Sequence, residues 1–365
     1  MTTSSETTAV IPTGSLILVV GVNAYLGCRF ANTLIERGYR VRGVVRDTLR
    51  CSHIDVFFRE KHGPNVPFEM VQVPDYTAQG AFDQVVQGCA GLILFAADNS
   101  FAPDPEIVVK GSVTMTVRAL EAAATESCLK RFVLTSSYVT ACLYRMGEVY
   151  EIGQDTWNTE YPIKAWAPPP YTPERSLYTY GTAKVESEQA MWNFVKDKKP
   201  SFVANAVLPD FVTGASMPHA KPSVGPMSFA LEALWQGGEA WKFLGPQWMI
   251  DAEDASLLHL GALLHPNYQG ERIFGCAHLK RWTDWIVRLR AMYPTHKFPG
   301  TATLLLMTSE PTDWIHPCVD PPESEAENLE IILDQSRAEA LLKWFGKDGF
   351  RPMEESMKEV FDTMV

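Results

Sequence analysis

The sequence predicts an α/β fold with a doubly wound parallel sheet, followed by a smaller and mostly helical C-terminal lobe. Continuous apolar runs bounded by glycine, such as residues 15–20, are typical of parallel strands buried on both faces. Amphipathic stretches with apolar residues three and four apart separate these runs. The alternation continues to about residue 213, which implies a parallel sheet with right-handed connections.

The elements follow one another in a regular order. The strand at residues 15–20 leads through a glycine turn into a helix at about 26–37, and a second strand follows at 39–45. Further strands are predicted at residues 68–73, 91–97, 130–134 and 202–208. Further helices are predicted at residues 78–87, 107–127 and 178–196. Asp251 and Asp254 are predicted to cap and start another helix that extends to residue 264.

Composition divides the chain into three parts. Residues 1–13 are rich in Thr and Ser and are predicted to be a disordered tail. Residues 14–215 form the predicted α/β domain, to which a segment at about 248–278 returns. Residues 216–365 form the smaller lobe, which we expect to wall a substrate pocket at the carboxyl ends of the strands.

Bulk composition argues against several classes of protein. The net charge of −11 argues against a nucleic-acid partner. No apolar run approaches the roughly 20 residues that span a bilayer, so we expect a cytoplasmic protein with no membrane partner. The seven cysteines are scattered singly, as in a chain with reduced thiols. The eight histidines form no pair at metal-ligand spacing, and we expect no metal site.

The glycine turn after the first strand is the first candidate site. It reads Gly21-Val-Asn-Ala-Tyr-Leu-Gly27, with Ala24 in the middle position. Between a buried strand and a helix, such a turn lets the backbone approach a pyrophosphate, and the helix amides face its charge. The residues expected to bind a dinucleotide here are Gly21, Ala24, Tyr25, Leu26 and Gly27.

The residues at the end of the second strand indicate which dinucleotide the protein binds. An acidic residue in this place usually binds the 2′-hydroxyl of NAD, but here Arg46 comes first. Its planar guanidinium matches a 2′-phosphate, and Arg50 lies one turn further on. Asp47 is an alternative ligand for a ribose hydroxyl. We therefore expect NADPH rather than NADH.

Tyr180 and Lys184 carry the predicted chemistry. They are four residues apart and thus on one face of the same predicted helix. Upstream, Ser136 and Ser137 end a strand at the carboxyl edge of the sheet. An ammonium beside a phenol favours the phenolate and is expected to lower the pKa of Tyr180. A serine hydroxyl can stabilise a developing alkoxide. The three side chains indicate the reduction of a carbonyl group with a proton from Tyr180.

These residues resemble the extended short-chain dehydrogenases, in the dihydroflavonol-reductase-like branch of the NAD-dependent epimerase/dehydratase family. The resemblance runs from about Leu16 to the C-terminus and includes Lys130-Arg-Phe-Val-Leu-Thr-Ser-Ser137 and Asn205-Ala-Val-Leu-Pro209. Residues 155–158 and the Tyr180 helix are especially similar to fungal aldehyde and ketone reductases. The resemblance implies a Rossmann-type fold and an NADPH-dependent carbonyl reductase acting on a small molecule, in keeping with fungal secondary metabolism.

The resemblance also assigns roles to single residues. It makes Tyr180 the proton donor, Lys184 its partner, and Ser137 rather than Ser136 the catalytic serine. The positions that it places around the cofactor are Arg46, Arg50, Asp75, Ala96, Ala97 and the loop from Pro209 to Val212.

The chain departs from the family pattern mainly near the expected substrate pocket. Three departures there are Asp98, Tyr138 and Asp210. They leave a second interpretation open, in which the protein binds NADP as an isomerase, a cyclase or a nucleotide-sugar epimerase-like enzyme without net redox turnover. The sequence is compatible with a monomer or a homodimer.

Overall fold

The computed structural model describes residues 8–142, 149–215, 217, 228–236, 247–296 and 330–364. The strands in these parts are β1 (Leu16–Val20), β2 (Arg40–Val45), β3 (Phe68–Gln72), β4 (Cys89–Leu94), β5 (Arg131–Thr135), β6 (Val149–Ile152), β7 (Val203–Pro209), β8 (Phe211–Thr213), β9 (Gln247–Asp251), β10 (Arg272–Gly275), β11 (His278–Lys280) and β12 (Glu330–Leu333). The helices are α1 (Tyr25–Glu36), α2 (Ser52–His62), α3 (Pro105–Thr125), α4 (Glu160–Ala165), α5 (Ser176–Lys198), α6 (Ser228–Gln236), α7 (Ala252–Leu264), α8 (Trp282–Met292), α9 (Ser336–Trp344) and α10 (Met353–Phe361).

A seven-stranded parallel sheet forms the centre of the molecule. Its order is β10-β7-β5-β4-β1-β2-β3, so the winding direction reverses between β1 and β4. The predicted α/β fold with a doubly wound parallel sheet is confirmed. Crevices at such reversals, beyond the carboxyl ends of the strands, are where open α/β sheets bind ligands.

Both faces of the sheet are covered by apolar residues. In β1, Ile17 and Val19 pack into one core with α1 and α7, whereas Leu18 and Val20 pack into a second core with α3. This alternation follows from the two-residue period of a strand. Helices α3 and α5 pack against each other on this second face. The sheet therefore holds the start of α5 beside the carboxyl ends of the strands.

The prediction of a helix at residues 78–87 is wrong. This segment forms a series of turns in which Asp83 N donates to the Gly80 carbonyl at 3.1 Å, a bond that closes after three residues. Gly80 adopts a φ of 69°, which takes the backbone out of the right-handed helical region. The analysis of the sequence also missed α2, although Ile54, Phe57 and Phe58 have the spacing of a buried helix face.

The predicted N-terminal tail differs from the structure, whereas the predicted return of residues 248–278 to the α/β domain agrees with it. Residues 8–13 do not form a free tail, because Ile11 is fully buried and Val10 N donates to the Leu264 carbonyl at 2.9 Å. The tail prediction otherwise falls on residues 1–7, outside the described part. Within the returning segment, β10 joins the main sheet and α7 packs against it.

Among the described residues, two smaller sheets accompany the seven-stranded sheet. Strands β8, β9 and β11 form a three-stranded sheet, and β6 pairs with β12. Asp251 caps α7, since its Oδ1 accepts a hydrogen bond from Glu253 N at 2.8 Å. The predicted cap is therefore confirmed.

Among the described residues, no helix is long and apolar enough to cross a membrane.

Candidate active site

A cavity opens at the carboxyl ends of β4 and β5, beside α3 and α5, and its empty space together with the adjoining solvent is about 350 Å³. Its lining residues are Ala96, Ala97, Asp98, Ser112, Met115, Thr116, Leu134, Thr135, Ser136, Tyr180, Ala183, Lys184 and Ser187. It thus includes four residues that the sequence predicted around the cofactor or the reaction, namely Ala96, Ala97, Tyr180 and Lys184. Asp98, predicted in the substrate pocket, also lines it.

The structure brings the three predicted catalytic side chains together. Tyr180 and Lys184 lie on successive turns of α5, and Ser137 follows the end of β5. The Ser137 side chain lies near the Tyr180 phenol and acts to lower its pKa. The Lys184 ammonium donates to the carbonyl oxygen of Thr135 at 3.0 Å. Strand β5 therefore supplies an acceptor for the lysine and a partner for the tyrosine.

Burial has opposite effects on the two titrating groups. Desolvation raises the pKa of Tyr180 to about 12, opposed by the Ser137 side chain and increased by the Asp210 carboxylate. Desolvation lowers the pKa of Lys184 to about 8, opposed by the carboxylate of Glu188. The expected net lowering of the Tyr180 pKa is therefore wrong for this structure, because burial outweighs the favourable contacts.

An aromatic side chain that the sequence analysis missed packs on Tyr180. The ring of Phe101 stacks on the Tyr180 ring, with centroids 5.2 Å apart. Phe101 adopts a φ of 51°, which is an unfavourable conformation for a bulky residue. The loop after β4 thus holds one face of the phenol. No local pattern in the sequence marks this contact, because Phe101 and Tyr180 lie 79 residues apart.

The glycine turn is packed closely against the sheet. A Cβ at Gly27 would lie 2.2 Å from the Gly21 carbonyl oxygen, so glycine is required for this approach of helix to strand. Ala24 is the N-cap of α1, with a φ of −70° that accommodates its methyl group. Its side chain accepts no hydrogen bond from the helix, whereas α3 and α7 begin with aspartate caps. The first amides of α1, including Tyr25 and Leu26, thus fit the phosphates of a dinucleotide.

The residues predicted around the adenosine end are exposed. Arg46 follows β2 directly, and Arg50 lies four residues further on. The Asp47 carboxylate accepts hydrogen bonds from Leu49 N and Arg50 N, at 2.9 and 3.1 Å. Asp47 therefore caps this turn. Asp75, expected at the adenine, accepts from Thr77 N at 2.8 Å and is exposed as well.

The predicted pocket residues occupy different environments. Tyr138 is fully buried in the apolar core beneath the sheet edge, and it does not line the cavity. The prediction that its ring borders the substrate is therefore wrong in this structure. The Asp210 carboxylate accepts a hydrogen bond from Trp248 N at 2.9 Å, and its negative charge raises the pKa of Tyr180. Pro209 ends β7, and Val212 lies half-buried in β8.

A buried ion pair links α5 to β10. Arg272 Nε donates to Glu188 Oε1 at 2.6 Å, and both side chains are almost completely buried. Glu188 Oε2 also accepts from Ser136 Oγ at 2.5 Å and from Thr140 Oγ1 at 3.0 Å. The Arg272 guanidinium lies over the ring of Trp157, 4.1 Å from its centroid. The side chain of Ser136 is therefore committed to the ion pair, which leaves Ser137 to contact Tyr180.

Among the described residues, no group of three or more His, Cys, Asp or Glu side chains could hold a metal ion. The six described cysteines, Cys28, Cys51, Cys89, Cys128, Cys142 and Cys276, carry free thiols.

The fold and these side chains define an oxidoreductase of the short-chain dehydrogenase type. The model of the "NAD dependent epimerase/dehydratase family" matches residues 17–219. The chain therefore belongs to this family, and the resemblance found in the sequence is confirmed.

Relatives of similar length support this assignment. The chain is 34% identical to the NAD-dependent epimerase/dehydratase terH of Aspergillus terreus, over all of both chains. It is 33% identical to aldehyde reductase 2 of Sporidiobolus salmonicolor, over 96% of each. A structure of yeast methylglyoxal/isovaleraldehyde reductase Gre2 with NADPH has a TM-score of 0.76 and 20% identity, over 96% of this chain and 99% of that one. That last likeness concerns the fold.

Proposed function

We propose that the protein is an NADPH-dependent carbonyl reductase, which converts an aldehyde or a ketone to an alcohol. The observation that carries this proposal is the Tyr180 phenol at the cavity, beside Ser137, with Lys184 one turn further along α5. The glycine turn at the start of α1 supports a dinucleotide beside that cavity. The names of relatives such as aldehyde reductase 2 agree with the proposal.

The protein supplies the proton and the electrostatic environment of this reaction. Because the pKa of Tyr180 is raised, the phenol is protonated near neutral pH and can act as an acid. It donates its proton to the carbonyl oxygen, to which the Ser137 hydroxyl also donates a hydrogen bond. NADPH, when bound, supplies the hydride that the carbonyl carbon takes up. The phenolate that remains on Tyr180 is stabilised by Ser137 and by the positive charge of Lys184.

The substrate class proposed is a small-molecule carbonyl compound, such as a ketone of fungal secondary metabolism. Ketoreductase nvfG of Aspergillus novofumigatus is 31% identical to this chain, over 95% of it and 96% of its own length. The apolar side chains Met115 and Leu134 line the cavity beside Tyr180, which suits a substrate with apolar groups next to its carbonyl.

The test is NADPH oxidation, followed by absorbance, with a panel of aldehydes, β-ketoesters and diketones. We expect steady oxidation with at least one class and formation of the corresponding alcohol. Product analysis of the same reaction mixtures tests the alternative class of isomerases and cyclases. A substrate that is rearranged while NADPH stays unoxidised would overturn the proposed reductase.

Arg46→Ala is expected to weaken NADPH binding about tenfold or more, because a bidentate guanidinium–phosphate contact is lost. NADH binding should stay unchanged, since NADH has no 2′-phosphate. Arg40→Ala is a matched control, because Arg40 is an exposed arginine on the same strand β2. Both affinities are measured by the quenching of protein fluorescence. Equal losses for NADPH and NADH would remove the 2′-phosphate role of Arg46.

A further inference from the structure

A chain of hydrogen bonds joins Lys184 to a histidine on the far side of β5. The Lys184 ammonium donates to the Thr135 carbonyl at 3.0 Å. The hydroxyl of the same Thr135 lies 2.9 Å from His259 Nε2. His259 Nδ1 in turn lies 2.7 Å from the carbonyl oxygen of Ala255, one turn earlier in α7. Thr135 thus connects the catalytic helix to α7 through its backbone and its side chain.

The chemistry of these partners determines which nitrogen of His259 carries a hydrogen and which one accepts. A carbonyl oxygen only accepts, so His259 Nδ1 carries the hydrogen and donates to Ala255. In the neutral ring, Nε2 is then an acceptor, and the Thr135 hydroxyl donates to it. Burial lowers the pKa of His259 to about 4, and the Lys184 ammonium lowers it further, against the bond to Ala255. The ring is neutral at physiological pH and accepts from Thr135 in a fixed direction.

His259 is more than a space-filling residue of the core. Its ring is fully buried and lies 4.9 Å from the Phe95 ring and 6.4 Å from the Phe30 ring, measured between centroids. A phenylalanine would fill such an apolar site without the cost of burying two polar nitrogens. Both nitrogens of His259 are used, and the bond of Nε2 leads directly to the residue that holds Lys184.

We propose that His259 is a positioning residue for Lys184. Its neutral ring fixes the Thr135 hydroxyl, and with it the end of β5 whose carbonyl oxygen accepts from the ammonium. The inference rests on the proposed function, because it concerns the lysine that stabilises the Tyr180 phenolate. His259 touches neither substrate nor cofactor.

The charged groups around Lys184 determine how the contact with Thr135 affects the pKa of this lysine. Tyr180 and Glu188 flank the ammonium on α5, Asp98 lines the same cavity, and the neutral His259 faces it from α7. An acceptor on the charged form of an amine raises its pKa. Loss of the Thr135 contact should therefore lower the pKa of Lys184 further below about 8 and narrow the active pH range from the basic side.

The experiment is a double-variant cycle with Thr135→Val and His259→Phe in the full chain. Each single change removes one half of the hydroxyl–imidazole bond, and we expect each to lower kcat about tenfold. The double variant should lose no more than either single one. His259→Gln keeps an amide oxygen near the position of Nε2, and we expect it to restore most of the activity.

Two further measurements separate positioning from general stability. We expect the basic limb of kcat against pH to move to lower pH in Thr135→Val, and the NADPH dissociation constant from fluorescence to rise about threefold. His62→Gln is the control, since His62 bonds to Asn32 and does not line the cavity. Losses that multiply in the double variant, or an unmoved basic limb, would overturn the proposal. If no carbonyl compound oxidises NADPH, the proposed function fails, and the NADPH-binding cycle alone decides the role of His259.

Discussion

Tyr180→Phe is expected to lower kcat for carbonyl reduction by about 10³-fold, because it removes the group that donates the proton to the carbonyl oxygen. NADPH binding should change little. The phenyl ring that remains can still stack on Phe101, 5.2 Å away between centroids. Loss of the interaction with Ser137 should lower the free energy of unfolding by only about 1 kcal/mol. The measurement is kcat and the NADPH dissociation constant for the purified variant.

Tyr178→Phe is the matched control for this experiment. Tyr178 lies on the same helix α5, but its ring packs edge-on against Tyr161 and does not line the cavity. We expect this variant to keep nearly full activity. Turnover that persists in Tyr180→Phe would show that the phenol is not the acid, and the isomerase or cyclase interpretation would then lead.

Arg272→Met is expected to lower the free energy of unfolding by about 3–5 kcal/mol, because it leaves the Glu188 carboxylate buried without its cation. The partners Ser136 and Thr140 remain, but their hydroxyls cannot replace a positive charge. Denaturant unfolding measures the change.

The double variant Glu188→Leu with Arg272→Met distinguishes lost pairing from lost packing. Removing both charges should recover part of the stability, because no unpaired charge is then buried. Arg59→Met is the control, since its ion pair with Asp55 is solvent-exposed. Such surface pairs contribute at most about 1 kcal/mol. Equal effects of Arg272→Met and Arg59→Met would contradict the importance of the buried pair.

Much of the fold and part of the candidate site could be predicted because their signals are local. Burial on both faces makes β1 a continuous apolar run, and helical periodicity puts Tyr180 and Lys184 on one face of α5. The glycine turn is predicted in the same way, from the local order of strand, turn and helix. Gly80 shows the limit, since the apolar spacing around it is compatible with a helix that its backbone conformation does not form.

The remaining features depend on contacts between distant parts of the chain. Glu188 and Arg272 are 84 residues apart, and Thr135 and His259 are 124 residues apart. No periodicity joins such pairs, since only the order of strands in the sheet brings them together. The burial of Tyr138 could not be predicted either. It follows from the direction that the chain takes after β5, which carries the ring into the core, and not from the neighbours of Tyr138 in sequence.

The position of β10 has a consequence for synthesis of the protein. This strand pairs with β7 but comes from residues 272–275, so the sheet lacks its outer strand until the ribosome has made three quarters of the chain. Until then, β7 presents an open hydrogen-bonding edge, and Glu188 has no arginine to neutralise it. A fragment that stops near residue 215 would keep both defects permanently. Association with other chains, or capture by a chaperone, is therefore favoured while the nascent chain has about that length.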